Sequence, residues 1–168
     1  MNDTKNLAGT EAIAKLKELV DAANICIFVT NLAETPLSSR PMSTMKVDDD
    51  GCLWFFSKEN TEKEHEIKND NRVQLFYSNK NSSEYLSVYG EAELLKDRQK
   101  VEELWTPIAK AWFTEGKDDP TIEIIKVTPR DAYYWDTKNN KAVSLLKIAV
   151  GAVTGRRMDD GVQGKLTV

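Results

Sequence analysis

The segment EYLSVYGEAELL, residues 84–95, limits the possible fold more than any other stretch of the chain. Leu86, Val88, Gly90, Ala92 and Leu94 fall at one parity, and Tyr85, Ser87, Tyr89, Glu91 and Glu93 at the other. Successive side chains of a strand point to opposite faces, so this alternation is one apolar face and one polar face. Such a strand belongs in an antiparallel sheet with one side solvated. Gly90 interrupts the apolar row and marks a bend or bulge of the kind barrel strands use.

Other strand-like segments lie close by in sequence. NICIFVT and NRVQLFYS are apolar and rich in β-branched and aromatic residues. Leu37–Val47 and Cys52–Ser57 flank the turn signal DDDG and read as a hairpin. TIEIIKVTP and DAYYWDT read as a last strand pair joined at TPRD. Helical spacing of Ile13, Leu16, Leu19 and Val20 predicts a helix over Glu11–Ala23 with Thr10 as its cap. A short helix follows TEKEHEIKND, where Thr61 and Glu64 have capping-box spacing. A third helix, with Asp97 as its candidate cap, is interrupted near Pro107. Strand follows strand with few residues between, so pairing is mainly antiparallel, and a small barrel with peripheral helices fits better than a parallel βαβ sheet. One domain over residues 1–155 is expected, with a flexible C-terminal tail over 156–168, because the end of the chain is polar and contains glycine.

Composition narrows the function. A formal charge of −4 argues against a nucleic-acid partner, which needs a basic footprint. With one histidine and no CxxC, a metal site is not expected, and Cys26 and Cys52 read as buried reduced thiols. No run reaches the roughly 18 apolar residues of a membrane span. The polar first residues do not resemble a signal peptide, so no membrane association is expected and a cytoplasmic location is the default. No GxGxxG or GxxxxGK[ST] loop is present, and no serine sits in a nucleophile elbow.

Two segments carry the chemistry. In SSRPMSTMKV, strand alternation sends Arg40, Met42 and Thr44 to one mixed face, and Leu37, Pro41, Ser43, Met45 and Val47 to a more apolar, core-facing one. Pro41 lacks a backbone donor, which suits an edge strand. In FFSKENTEK, Ser57, Thr61 and Lys63 gather where a strand gives way to a helix start, a workable phosphate site that Arg40 would complete with a planar fork. Taken singly, Arg40 suits a surface ion pair, Thr61 a helix cap and Lys63 a solvated charge. Glu62, Glu64 and Glu66 crowd the same helix and oppose a phosphate dianion. Four tryptophans would suit a flat cofactor. Trp54, Trp105 and Trp112 read as core or dimer packing, and Trp135 as a pocket wall.

The order and spacing of SRPMSTM, LWFFSKENTEKEHEIKNDNRVQLFY, YLSVYGEAEL and LWTPIAKAWFTEGKDDPTIEIIKVTPRDAYYWD resemble the general stress protein 26 branch of the FMN-binding split barrels related to pyridoxamine 5′-phosphate oxidase. The resemblance implies a mainly β fold, a six-stranded antiparallel split barrel with peripheral helices. It implies a homodimer holding FMN (or FAD) at the subunit interface. Arg40 matches the arginine that reaches the flavin phosphate. Pro41, Met42 and Ser43 match the strand edge beside the ring. Phe56, Ser57, Thr61 and Lys63 match ring-side and phosphate-side positions. Tyr85 and Trp135 match contacts made across the interface. Glu62 stands where the oxidases often carry an arginine, and no Arg-x-His-x-Arg-like segment follows Trp135. An FMN-dependent oxidoreductase on an unknown substrate is therefore expected, rather than a true pyridoxamine phosphate oxidase, and no catalytic side chain is assigned. The alternatives are a non-catalytic flavin carrier or sensor, and an interaction module without flavin.

Overall fold

The computed structural model describes residues 3–137 and 161–168. Element order is β1 (Asp3–Thr4), β2 (Leu7–Ala8), α1 (Gly9–Ala23), β3 (Ile25–Thr30), β4 (Ser38–Ser43), β5 (Lys46–Val47), β6 (Leu53–Lys58) and α2 (Glu62–Asn69). It continues with β7 (Arg72–Asn79), β8 (Glu84–Leu95), α3 (Arg98–Leu104), 3-10 turns over Pro107–Ala111 and Gly116–Asp118, β9 (Ile122–Thr137) and β10 (Gly161–Thr167). The sheet path runs β1-β10-β9-β8-β7-β3-β4, with β6 added to the first half of β9. No ladder joins β4 to β6, so the barrel is split between them. The mainly β split-barrel expectation holds. Six long strands, β3, β4 and β6–β9, carry it, and short β1, β2 and β5 with β10 extend the sheet. Pairing is antiparallel except where β1 and β2 run parallel to β10.

The alternation in β8 is realised: Leu86, Val88, Gly90 and Ala92 are buried. Gly90 sits at a register shift. Tyr89 faces Asp131 and Gly90 faces Pro129, so Arg130 is the extra residue of a bulge. A Cβ on Gly90 would lie 2.6 Å from the Thr128 carbonyl oxygen, which explains why the position has none.

Several expectations need correction. The stretch 37–47 is not one strand hairpinned to 52–57. It breaks at Thr44–Met45: Ser38–Ser43 pairs with β3, and Lys46–Val47 with Leu53–Trp54. The faces of β4 are also inverted. Arg40 and Met42 point toward the protein and Pro41 is exposed, because the phase of the alternation changes at the break. TPRD is not a turn, since β9 runs unbroken through it with the bulge opposite. Ala8, not Thr10, caps α1. Of the tail, 161–167 is β10, with Leu166 buried and Gly164 packed against the Lys5 backbone. Residues 156–160, the boundary at 155/156 and the amphipathic stretch Lys141–Gly155 lie outside the described residues.

Two apolar clusters meet at β9, whose residues Ile122–Ile125 are buried on both faces. Ile125 and Val127 enter the barrel core with Phe28, Phe55 and Leu75. Ile122 and Ile124 pack with Trp54, Val101, Leu104 and Phe113. This second cluster anchors the α3 segment against the barrel wall. Asp97 caps α3 as expected, accepting from the Lys100 amide at 3.0 Å. Cys26 and Cys52 are free and buried. Among the described residues no helix is long and apolar enough to cross a membrane.

Candidate functional site

At the mouth of the split between β4 and β6 lies a cavity of about 500 Å³. It brings together Arg40, Pro41, Met42 and Ser43 from β4, Phe56 and Ser57 from β6, Thr61 before α2 and Lys63 within it. Among the described residues β4 pairs only with β3, so Pro41 removes no ladder bond on its other side. Tyr85 and Trp135 are elsewhere. They face each other across β8 and β9 and line a second cavity of about 500 Å³ with Ile27 and Phe76.

Arg40 is held from behind. Its Nη2 donates to Glu66 Oε2 at 2.8 Å and its Nη1 donates to Thr30 Oγ1. Thr30 is fully buried and donates to the same carboxylate oxygen at 2.5 Å. Burial raises the Glu66 carboxyl, but hydrogen bonds from Ser38, Thr30 and Arg40, with the guanidinium charge, hold it below its ordinary value. Glu66 is therefore an anion that orients the arginine rather than one that repels an incoming ligand.

Lys63 differs. Among the described residues it makes no ion pair, and burial first, then the Arg40 charge, push its ammonium below the ordinary lysine value against the pull of Glu123. A half-buried ammonium beside a guanidinium, without a paired anion, is the electrostatic half of an anion site. Glu62 is exposed and does not line the cavity. The expected capping box is displaced: Glu64 accepts from the Asn60 amide, and Thr61 Oγ1 donates to the Lys58 carbonyl at 3.2 Å.

Replacing Lys63 with methionine should raise the melting temperature of the ligand-free protein by roughly 2–4 °C, the response of a chain this size to about 1 kcal/mol. The sign follows from the depressed folded-state pKa: the charged form is disfavoured, and stability rises with pH between that pKa and the ordinary 10.5. The parent should thus gain on the variant as pH rises into this window. Thermal melts against pH check it, and a lower-melting Lys63→Met protein would refute the unpaired-cation assignment.

The opposite wall is apolar. Phe56, Trp105 and Phe113 form an aromatic group with ring centroids 6.0–6.4 Å apart, and the Lys58 ammonium lies 5.6 Å from the Phe113 ring centre. Trp112 lines the cavity and is 54% exposed, whereas the sequence placed it with core and dimer packing. A single aromatic on an irregular 3-10 segment leaves no periodic signal. Ile25, Met45 and Ala109 complete the lining and also escaped the sequence pattern. The lining contains no histidine, cysteine or carboxylate.

A family model described as pyridoxamine 5′-phosphate oxidase like matches residues 11–159. The chain belongs to this family. Within the pyridoxamine 5′-phosphate oxidase like family, it is 30% identical over 92 residues to General stress protein 26 of Bacillus subtilis, covering 53% of this chain and 64% of that protein. It is 27% identical over 129 residues to Protein bli-3 of Neurospora crassa, covering 71% and 62%. The chain thus spans less than two thirds of the length of these curated relatives. A solved structure from Jannaschia sp. CCS1, assigned to general stress protein 26, matches with TM-score 0.75 and 25% identity over 94% of this chain and 96% of that one. The general stress FMN/FAD binding protein of Xanthomonas citri shares the fold, with TM-score 0.64 and 23% identity over 75% and 89%.

Proposed function

We propose that the chain binds FMN in the β4–β6 cavity, with the phosphate between Arg40 and Lys63. The observation that carries this reading is the pair of adjacent cations of which one, Lys63, has no paired anion among the described residues. Ser57, Thr61 and the free amides at the start of α2 supply further donors. Met42, Phe56 and the backbone of Pro41–Ser43 would lie along the ring, and the cavity is lined mainly by apolar groups, as a flat cofactor requires. The name of the Xanthomonas citri neighbour, which mentions FMN and FAD, agrees with this assignment. Bound flavin supplies reversible electron and hydride transfer, and the protein binds and orients it.

The same reading makes the protein a homodimer. Ile25, Ile27, Phe76, Tyr85 and Trp135 are 54%, 45%, 49%, 47% and 40% exposed on one outer face of the sheet. In register, Pro41 faces Ile27, Ile27 faces Phe76, and Tyr85 faces Trp135, so the apolar row runs from one cavity to the other. A second copy covering this face would bring its Tyr85 and Trp135 toward the flavin. We assign an oxidoreductase role on an unidentified substrate. Because the lining lacks an acid or base, a flavin carrier or sensor without turnover is the second reading.

Freshly purified protein should be yellow, release FMN on denaturation as judged by mass, and scatter light as a dimer. Colourless protein that takes up no added FMN would overturn the reading. Turnover with a reduced nicotinamide well above that of free flavin would remove the carrier alternative.

A further inference from the structure

Behind the proposed phosphate subsite, across the strand ladder from a residue of its lining, stands a carboxylate that the flavin reading leaves unused. Glu123 is 5% exposed, and its Oε2 is a buried side-chain oxygen without a hydrogen-bond partner among the described residues. Such an orphan demands an explanation in a native protein. On β9 it stands directly opposite Ser57, which is 4% exposed and lines the cavity. Both occupy the parity that carries Phe55 and Ile125 into the barrel core.

The charges around Glu123 come from three neighbouring segments. Glu59 precedes α2, Lys63, Glu64 and Lys68 belong to α2, and Lys96 follows β8. Four of them pair off: Lys68 with Glu64, and Lys96 with Glu59. Glu123 and Lys63 are left, each without an ion pair among the described residues, and the Glu123 charge is felt weakly at Lys63, behind burial and the Arg40 charge. Burial first, and the Glu64 charge second, raise the Glu123 carboxyl above its ordinary value.

We propose that Glu123, behind the anion subsite, takes up a proton from solvent when a phosphate dianion occupies that subsite, so that occupancy of the site is coupled to pH. The proposal rests on the flavin-phosphate reading above. The sign follows from electrostatics. A dianion drawn to Lys63 makes the Glu123 anion still less favourable, so the bound state holds more protons, and affinity falls as pH rises past the ordinary carboxylate range. An ionised Glu123 repels the dianion, whereas a neutral one does not.

Calorimetry of FMN binding at pH 7.5, in two buffers with different ionisation heats, counts the protons exchanged. The parent should take up a fraction of a proton, at most about half for one pKa unit of coupling, and Glu123→Gln none. The variant should bind FMN about tenfold more tightly than the parent at pH 7.5, the worth of one pKa unit of coupling, and the two should converge near pH 5. The protonation of FMN itself is common to both and cancels in the comparison. Uptake that persists in Glu123→Gln assigns the proton to Lys63 and overturns the proposal. Parent protein that binds FMN without proton uptake overturns it while leaving the flavin reading intact. Parent protein that binds no FMN removes both. Should Glu123→Gln fail to fold, Glu123→Met takes its place in the same comparison.

Discussion

Arg40→Ala should bind FMN roughly a hundredfold more weakly than the parent, with riboflavin affinity unchanged. The guanidinium is fixed by Glu66 and Thr30 with its position already set, so little side-chain entropy remains to be lost when a phosphate arrives. A charge-assisted, forked contact to phosphate contributes about 3 kcal/mol, which corresponds to the hundredfold loss. Riboflavin lacks the phosphate, so its binding isolates the ring contacts, and an equal loss for both ligands would mean that Arg40 only shapes the cavity. Arg40→Lys keeps the charge without the fork and should fall between the two. The variant has a second cost. Glu66, with a side chain only 12% exposed, loses its ion pair. That should lower stability by about 2 kcal/mol, less than for a fully buried pair because Arg40 keeps 24% exposure. The Arg40→Ala/Glu66→Ala double variant should recover most of the melting temperature and none of the FMN affinity. Fluorescence titration and thermal melts read both quantities, and Arg40→Ala protein that binds FMN like the parent would remove the phosphate assignment.

Arg40 was legible because its chemistry and its neighbourhood agree. Residues 40–43 and 56–63 are distant in sequence, yet each carries the residue types of one ligand end, and the fold brings them to one cavity. The orientation of Arg40 was not legible. A period-two pattern carried through Thr44–Met45 predicts the wrong core face, since nothing in the composition of SSRPMSTMKV marks the change of partner from β3 to β6. The acidic residues of α2 were misjudged for a related reason. Sequence gives their number, but only the fold separates Glu62, exposed in the first turn, from Glu66, one turn later on the same face, which grips Arg40, and from Glu64 on another face, which grips Lys68. Glu123 was invisible: nothing in TIEIIKV sets this acid apart, and its burial follows from its place opposite Ser57 on the core-facing parity of β9. β10 was missed because GVQGKLT has weak alternation. Its place is fixed by backbone pairing with β9 and by the close approach of Gly164 to Lys5.

Gly90 shows the opposite case, a residue whose role was readable and whose replacement should be severe. Gly90→Val should lower stability by about 3 kcal/mol, a fall of roughly 6–12 °C in melting temperature. The first methyl-sized atom would already stand 2.6 Å from the Thr128 carbonyl oxygen and 3.0 Å from Val127 Cγ1. The obstructing group is backbone of the paired strand, so relief requires β8 and β9 to separate where the bulge fixes their register. That register aligns both halves of β9 at once. Ile122–Val127 pair with β6, beside Ser57 of the anion site, and Ala132–Thr137 pair with β10 and carry Trp135. A partial accommodation would therefore displace one half relative to the other. Melting of Gly90→Val and Gly90→Ala separates these cases. Alanine should cost less than valine but more than a surface substitution, whose effect is usually within about 0.5 kcal/mol. If Gly90→Val melts within 2 °C of the parent, about the shift of the smallest resolvable change, the close approach at Thr128 is not a constraint on the fold.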